Sequence, residues 1–197
     1  MYEGNNPTAL KSQEWIAETL LQLMQEKEYS RISIREICEK SNLSRQTFYN
    51  LFSSKEDVIR IYLRRKVSKV LREKNREENK WEKDPSLDQV GQDKESYLRF
   101  MVDSFVTVLR DNRAILTLMM NQGLEYIVSD EILYTVRVFA QHLSKENDPA
   151  VLEYNVSFLG GGLAQTMLCW MKQENPMEPK ELTEFLHEAL TGGIVRM

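Results

Sequence analysis

Between Ser44 and Lys55 the chain reads SRQTFYNLFSSK, and its polar side chains are of kinds that read or grip a polyanion. Arg45 offers two parallel N–H groups that match guanine, and Gln46 offers the donor and acceptor that match adenine. The Ser44 and Tyr49 hydroxyls suit phosphate oxygens. Lys55 places a cation near a helix start, where backbone N–H groups also favour anions. Each residue has an ordinary alternative: Ser44 as an N-cap, Tyr49 laid against a bundle, Arg45 and Lys55 as plain surface cations. The apolar spacing beneath them raises the functional reading. With Leu43, Phe48 and Phe52 pointing inward, a rotation of about 100° per residue turns Arg45, Gln46 and Tyr49 outward.

The elements that must hold this segment are helical. Ile16, Leu20, Leu23 and Met24 share one face of a first helix, with Trp15 at its edge. Ser33 and Glu36 form a capping box that starts a helix at Ile34, with Ile34, Ile37 and Cys38 on its buried side. Asn42 suits a tight turn because Asn tolerates the left-handed conformation, and Ser44 is a good N-cap for the next helix. Two short helices across such a turn describe a helix-turn-helix. Ser53 and Glu56 form a second capping box, opening a long helix through Val58, Ile61, Tyr62 and Val70. Residues 75–93, with Pro85 and Gly91, lose hydrophobicity and mark a boundary. Helices are expected over Tyr97–Leu109, Ala114–Ile127 with a break at Gly123, Glu131–Leu143, Ala150–Gln173 and Lys180–Leu190. No alternating run reads as a strand. The expected fold is all-α: a helix-turn-helix domain over 1–53, a connecting helix over 54–80, and a helical domain over 81–197.

Charge divides along the same line. Residues 1–80 carry 16 basic and 12 acidic groups, whereas the remainder carries 10 basic and 18 acidic ones. The sharpest excess is in residues 31–72, with 11 basic against 4 acidic. A basic first part on an acidic remainder suits contact with a polyanion at one end. Catalysis is not expected. His142 and His187 lie far apart without triad or metal-ligand company, and no phosphate loop or nucleophile elbow is present. Cys38 and Cys169 give neither a disulfide framework nor metal spacing. No apolar run approaches the roughly 20 residues that span a bilayer, and the N-terminus does not read as a secretory signal. These features predict a cytoplasmic protein without cofactor or metal.

The stretch ISIREICEKSNLSRQTFYNLFSSKEDVI resembles the N-terminal domain of the TetR family of bacterial transcriptional regulators, over roughly Ala9–Leu63. It departs from the family pattern at Cys38, Asn42 and Leu51, where Ala, Gly and His are usual. The resemblance implies an N-terminal three-helix DNA-binding domain followed by a helical ligand-binding and dimerisation domain. Ser44, Arg45, Gln46 and Thr47 would face double-stranded DNA, Tyr49 and Lys55 would meet phosphates, and Ser33 would reach the DNA backbone. It further implies a nucleoid-associated homodimer on a palindromic operator, usually a repressor released by an effector.

In the acidic part, FLGGGLAQTMLCWM places three glycines inside a helix, each costing about 1 kcal/mol relative to Ala. Close approach of another helix would offset that cost. Gly160, Gly161 and Gly162, with Leu182, Phe185, Leu186 and Ala189 of the final helix, are therefore expected at a dimer interface. Phe100, Met101, Phe105, Met119, Met120, Tyr126, Tyr134, Phe139 and Trp170 are candidates for an effector cavity, although such residues are more often plain core. The C-terminal half also resembles a TetR subgroup that includes regulators of dihydroxyacetone kinase genes, in which the sensed species can be a partner protein. A coregulator acting through a protein partner is the alternative to release by a small molecule.

Overall fold

The computed structural model describes residues 6–78, 94–143 and 148–192. Every regular element among them is helical: α1 (Pro7–Glu26), a 3₁₀ turn (Tyr29–Arg31), α2 (Ile34–Ser41), α3 (Arg45–Leu51), α4 (Lys55–Glu78), α5 (Lys94–Asp111), α6 (Arg113–Asn121), α7 (Glu125–Leu143), α8 (Pro149–Asn155), a π-helical turn (Val156–Gly160), α9 (Gly161–Lys172) and α10 (Pro179–Leu190). None of these helices is long and apolar enough to cross a membrane. The boundary expected over 75–93 and the basic-to-acidic passage at residue 80 lie largely outside the described residues.

Local chemistry sets the first helix ends. Asn6 accepts the Thr8 N–H at 3.0 Å and Pro7 occupies the first position of α1, where its missing N–H costs nothing. Ser33 caps α2 by accepting the Glu36 N–H at 3.2 Å. The expected box closes on one side only, because the Glu36 carboxylate turns to the Lys27 ammonium instead. At α4 the cap lies one residue later than the spacing suggested. Ser54 accepts the Asp57 N–H at 3.1 Å, and Asp57 accepts the Ser53 N–H at 2.9 Å. Glu56 is thereby released to accept the Tyr126 hydroxyl at 2.7 Å.

The chain forms two compact units. The first comprises the residues up to Arg65 together with Ala114–Ile127. Its core holds Ile16, Leu20, Met24, Ile37, Phe48, Phe52, Ile59, Met119 and Ile127, all essentially inaccessible. Burying one such side chain stabilises by about 1.5–3 kcal/mol. A packed cleft shared by Ala17, Leu20, Val58, Ile59, Tyr62 and Met119 brings α6 against α1 and α4. Residues 114–127, expected within the downstream helical domain, thus pack with the helix-turn-helix. The break at Gly123 is real: its φ of +74° lets the chain leave α6, with the Leu124 N–H reaching back to the Met119 carbonyl at 3.0 Å. The following helix starts at Glu125 rather than Glu131.

The second unit holds residues 66–113 and those from Val128 onward. Here α5 packs along α10, and Val102, Phe105, Val136, Leu163, Met167 and Leu186 are buried. The expected helix over Ala150–Gln173 is continuous but carries the π-helical turn at Val156–Gly160.

Candidate nucleic-acid interface

α3 is held from beneath and from its start. Phe48 is fully buried and packs on Phe52 with ring centroids 5.6 Å apart, while Leu51 is also buried. Ser44 accepts the Thr47 N–H at 2.9 Å, satisfying one of the orphan donors of the first turn. The Ser44 and Thr47 hydroxyls lie 2.9 Å apart. Asn42 makes the turn before α3, at φ 53° and ψ 37°, the only non-glycine residue with positive φ among the described residues. Its N–H reaches the Glu39 carbonyl at 3.3 Å and the Leu43 N–H reaches that of Cys38 at 3.0 Å.

On the opposite side of α3 the polar tips are open. Arg45, Gln46 and Tyr49 are exposed and Thr47 is half-buried. Tyr49 is 56% exposed although its ring meets Phe48 edge-on at 5.6 Å. Gln46 donates from Nε2 to Asn50 Oδ1 at 2.9 Å, which fixes its amide along the helix. Arg35, Cys38, Asn42, Ser44 and Arg45 border one hollow of about 530 Å³ beside the turn. Arg35, at its rim, was not singled out from the sequence. The basic excess over residues 31–72 was its only signal, and it is partly neutralised by Glu39 at 2.6 Å. Burial pushes the Cys38 thiol up, against the lowering effect of Arg45, so it stays a packed thiol rather than a reactive one.

Ser33 and Lys55 are brought together at the other end of α2. The Lys55 ammonium donates to the Ile32 carbonyl at 2.5 Å and to the Tyr29 carbonyl at 2.8 Å, and stands 4.2 Å from the Tyr29 ring centre. Burial lowers its pKa, with the neighbouring Glu56 opposing that. An ammonium has three donors, so two held by carbonyls leave one for an outside oxygen. The Ser33 hydroxyl accepts from the backbone and keeps its own proton to donate.

The other candidate sets are divided by the fold. Gly160 is buried, and a Cβ there would lie 3.0 Å from Leu133 Cδ2 and 3.2 Å from Val136 Cγ1. The close approach that its sequence suggested is therefore made by α7 of the same chain. Gly161 and Gly162 have open space where a Cβ would go. On α10, Leu182 and Leu186 are buried within the chain, whereas Phe185 and Ala189 are exposed. Tyr154, Phe158 and Leu159 are exposed too, Phe158 at 80%. A groove of about 360 Å³ between α9 and α10, bordered by Cys169, Trp170, Met177 and Phe185, continues this apolar face.

Of the cavity candidates, Met119, Met120 and Tyr126 fall in the first unit, and Phe100, Met101, Phe105, Tyr134, Phe139 and Trp170 in the second. Phe139 fills space between Tyr97 and Phe105, at 5.4 and 6.5 Å between ring centres. Tyr126 and Tyr134 are exposed, and the Trp170 indole donates to the Met177 carbonyl at 2.7 Å. Phe100 borders a hollow of about 350 Å³ between α5 and α10, whose walls include Arg99, Asp103, Arg110, Thr183 and Glu184.

Known proteins share this arrangement. Residues 16–60, which run from α1 into α4, match the family described as bacterial regulatory proteins, tetR family. A fatty acid degradation regulator from Bacillus halodurans is 15% identical, with 98% of each chain covered and a TM-score of 0.58. A TetR transcriptional regulator from Streptococcus agalactiae is 20% identical over 93% of this chain and 95% of its own, with a TM-score of 0.52. A TetR/AcrR-type transcriptional regulator from Aquifex aeolicus is 26% identical over 93% of this chain and 99% of its own, at 0.50. No curated protein sequence is significantly similar to the chain. At 15 and 20% identity the likeness is one of fold, and it is the matched segment that carries the helix-turn-helix. Residues 16–60 are thus a domain of the tetR family of bacterial regulatory proteins, and the fold around them is one that TetR transcriptional regulators share.

Proposed function

We propose that this regulator is a sequence-specific repressor that binds a palindromic operator as a homodimer and is released by an effector. The observation that carries the reading is the two-sidedness of α3: Phe48 wholly buried beneath, Arg45, Gln46 and Tyr49 exposed above. In this reading α3 enters the major groove, Arg45 and Gln46 read base edges, and Ser44 and Thr47 lie against the same groove. Gln46 exchanges its bond to Asn50 for one to a base. Tyr49, Ser33 and the remaining Lys55 N–H hold phosphates, which sets register rather than sequence. The regulator works in the bacterial cytoplasm, on the nucleoid.

The second copy of the chain covers the face made by Phe158, Gly161, Gly162, Phe185 and Ala189. Its support is an apolar surface too exposed for a chain that works alone. Effector binding belongs to the helical domain over 81–197, with the 54–80 helix joining it to the reading head over 1–53. The test is stoichiometry and footprint together. Two chains should bind each operator duplex and protect two half-sites centred about 34–36 Å apart. A single chain per duplex, or a monomer at micromolar concentration without DNA, would overturn the dimer.

A further inference from the structure

The match to the family ends at residue 60, yet the compact unit around α3 extends to Ile127. One side chain at the end of α6 holds that later segment to the helix-turn-helix. Gln122 accepts the Tyr29 N–H on Oε1 at 2.8 Å. Its Nε2 donates to the Met24 carbonyl at 3.0 Å and lies 3.5 Å from that of Lys27. Met24 is in the last turn of α1, where carbonyls have no partner inside the helix, and Tyr29 opens the 3₁₀ turn that leads to α2. One amide thus satisfies backbone groups on both sides of the α1–α2 connector. Only Gln and Asn among the uncharged residues carry both a donor pair and an acceptor for this.

The connector passes that restraint on. The Tyr29 carbonyl and ring hold the Lys55 ammonium, and Lys55 is the first residue of α4, three residues after Phe52 closes α3. A second strut stands beside the first: the Tyr126 hydroxyl donates to Glu56 at 2.7 Å. Burial raises the Tyr29 phenol well above the ordinary tyrosine range, and Glu56 and Tyr126 raise it further. Tyr29, Lys55, Glu56, Gln122 and Tyr126 therefore form one cluster drawn from three segments of the chain. Gly123, with its positive φ, makes the turn that lets Gln122 and Tyr126 reach the cluster from successive helices.

We propose that Gln122 is a positioning residue for DNA recognition: its amide fixes the α1–α2 connector and, through Tyr29 and Lys55, the pose of α3, with Tyr126 as a second strut. Gln122 itself touches no DNA. The inference rests on the reading of α3 as the recognition helix.

A merely structural residue and a positioning residue differ in what their loss does to two affinities. Unfolding part of the population weakens specific and non-specific binding by the same factor. A misplaced reading head loses operator affinity while its cations still bind any duplex. The experiment compares wild type, Gln122→Met and Tyr126→Phe on an operator fragment selected by the wild-type protein and on a scrambled duplex, at several salt concentrations. Gln122→Met should lose about tenfold or more on the operator, as the part-buried connector, no longer held by the amide, lets α3 leave its reading pose. Its affinity and salt slope on the scrambled duplex should stay as in wild type. Hydrogen exchange at the Tyr29 amide should quicken. Tyr126→Phe, which removes one exposed hydroxyl and keeps the ring, should show the same split at about two- to fivefold. Equal losses on both duplexes, or no loss on the operator with either variant, would overturn the inference. Should Gln122→Met not fold, the Tyr126→Phe comparison decides alone. If the wild type itself selects no operator, the recognition-helix reading is what has failed.

Discussion

The reading unit and the second unit spend their apolar residues in opposite ways. Around α3 the aromatic anchors Phe48 and Phe52 are inside and the outward positions are polar, Tyr49 being the amphipathic exception. Along the α8–α9 rod and α10, Tyr154, Phe158, Leu159 and Phe185 stand outside, beside glycines with open space over them. The first pattern belongs to a surface that must remain wetted until it meets a charged, hydrated groove. The second is a surface that the proposed self-association would cover. In the proposed reading, one face serves a polyanion and the other a second copy of the chain.

The largest effects should separate these two faces. Phe48→Ala should destabilise the folded chain by about 3–5 kcal/mol, because it empties a site with no exposure. Phe158→Ser should alter chain folding by less than about 0.5 kcal/mol while shifting sedimentation from dimer to monomer. Thermal melts and sedimentation velocity on both variants check this pair. A fully dimeric Phe158→Ser protein would remove the rod from the interface.

Next come the polar tips. Arg45→Ala and Gln46→Ala should each relax base preference at one operator position by about 1–3 kcal/mol. Lys55→Ala should weaken every duplex and reduce the salt slope, and should weaken the operator further because the tie that poses α3 is lost. It should also lower chain stability by about 1–3 kcal/mol, because the Tyr29 and Ile32 carbonyls lose their shared donor. Binding titrations against single-base operator variants distinguish the three. A Lys55→Ala protein with unchanged affinity and salt slope on a scrambled duplex would reverse the phosphate assignment.

The glycines give a smaller contrast. Gly162→Ala should stabilise the isolated chain by up to about 1 kcal/mol through helix propensity, yet weaken self-association, since its Cβ would enter the open face. Gly160→Ala should destabilise the chain, as its Cβ presses on Leu133 and Val136. Stability and dimerisation measured on both variants test whether the two neighbouring positions answer to different partners.

The smallest expected effect is electrostatic. Lys27 beside Glu36 holds that carboxyl below the usual carboxylate range. A lowered carboxylate stabilises the fold at neutral pH, and the contribution is lost as pH falls from the ordinary glutamate range through the lowered value. Glu36→Gln should remove that part of the acid transition and leave DNA binding at neutral pH unchanged. Chemical denaturation as a function of pH is the check.

The two faces were not equally legible. Ser33, Asn42 and Ser44 announce α2, the turn and α3 because each acts on backbone within a few residues, and the structure finds all three in those roles. The second capping box was displaced because Ser53 and Ser54 both precede an acidic residue three positions on. The choice fell to Asp57, leaving Glu56 to Tyr126, a residue 70 positions away. Tertiary partners of that kind leave no local trace. The same reason hid Gln122, one polar residue at a helix end, whose partners Met24 and Tyr29 lie more than 90 residues earlier. Gly160 to Gly162 read as one motif, yet the π-helical turn ending at Gly160 points the first glycine inward and leaves the others open. Leu182 and Phe185 likewise share a helix but not a face.

Selection of DNA by the purified, full-length protein tests the central claim most directly. The protein would be incubated with sheared DNA from its own genome at near-physiological salt, and the retained fragments sequenced. The account predicts a shared palindrome with half-sites about one helical turn apart, lost when Arg45 and Gln46 are both replaced by Ala. Retention of fragments with no common motif, and with the same salt-sensitive affinity for wild type and the double variant, would contradict it.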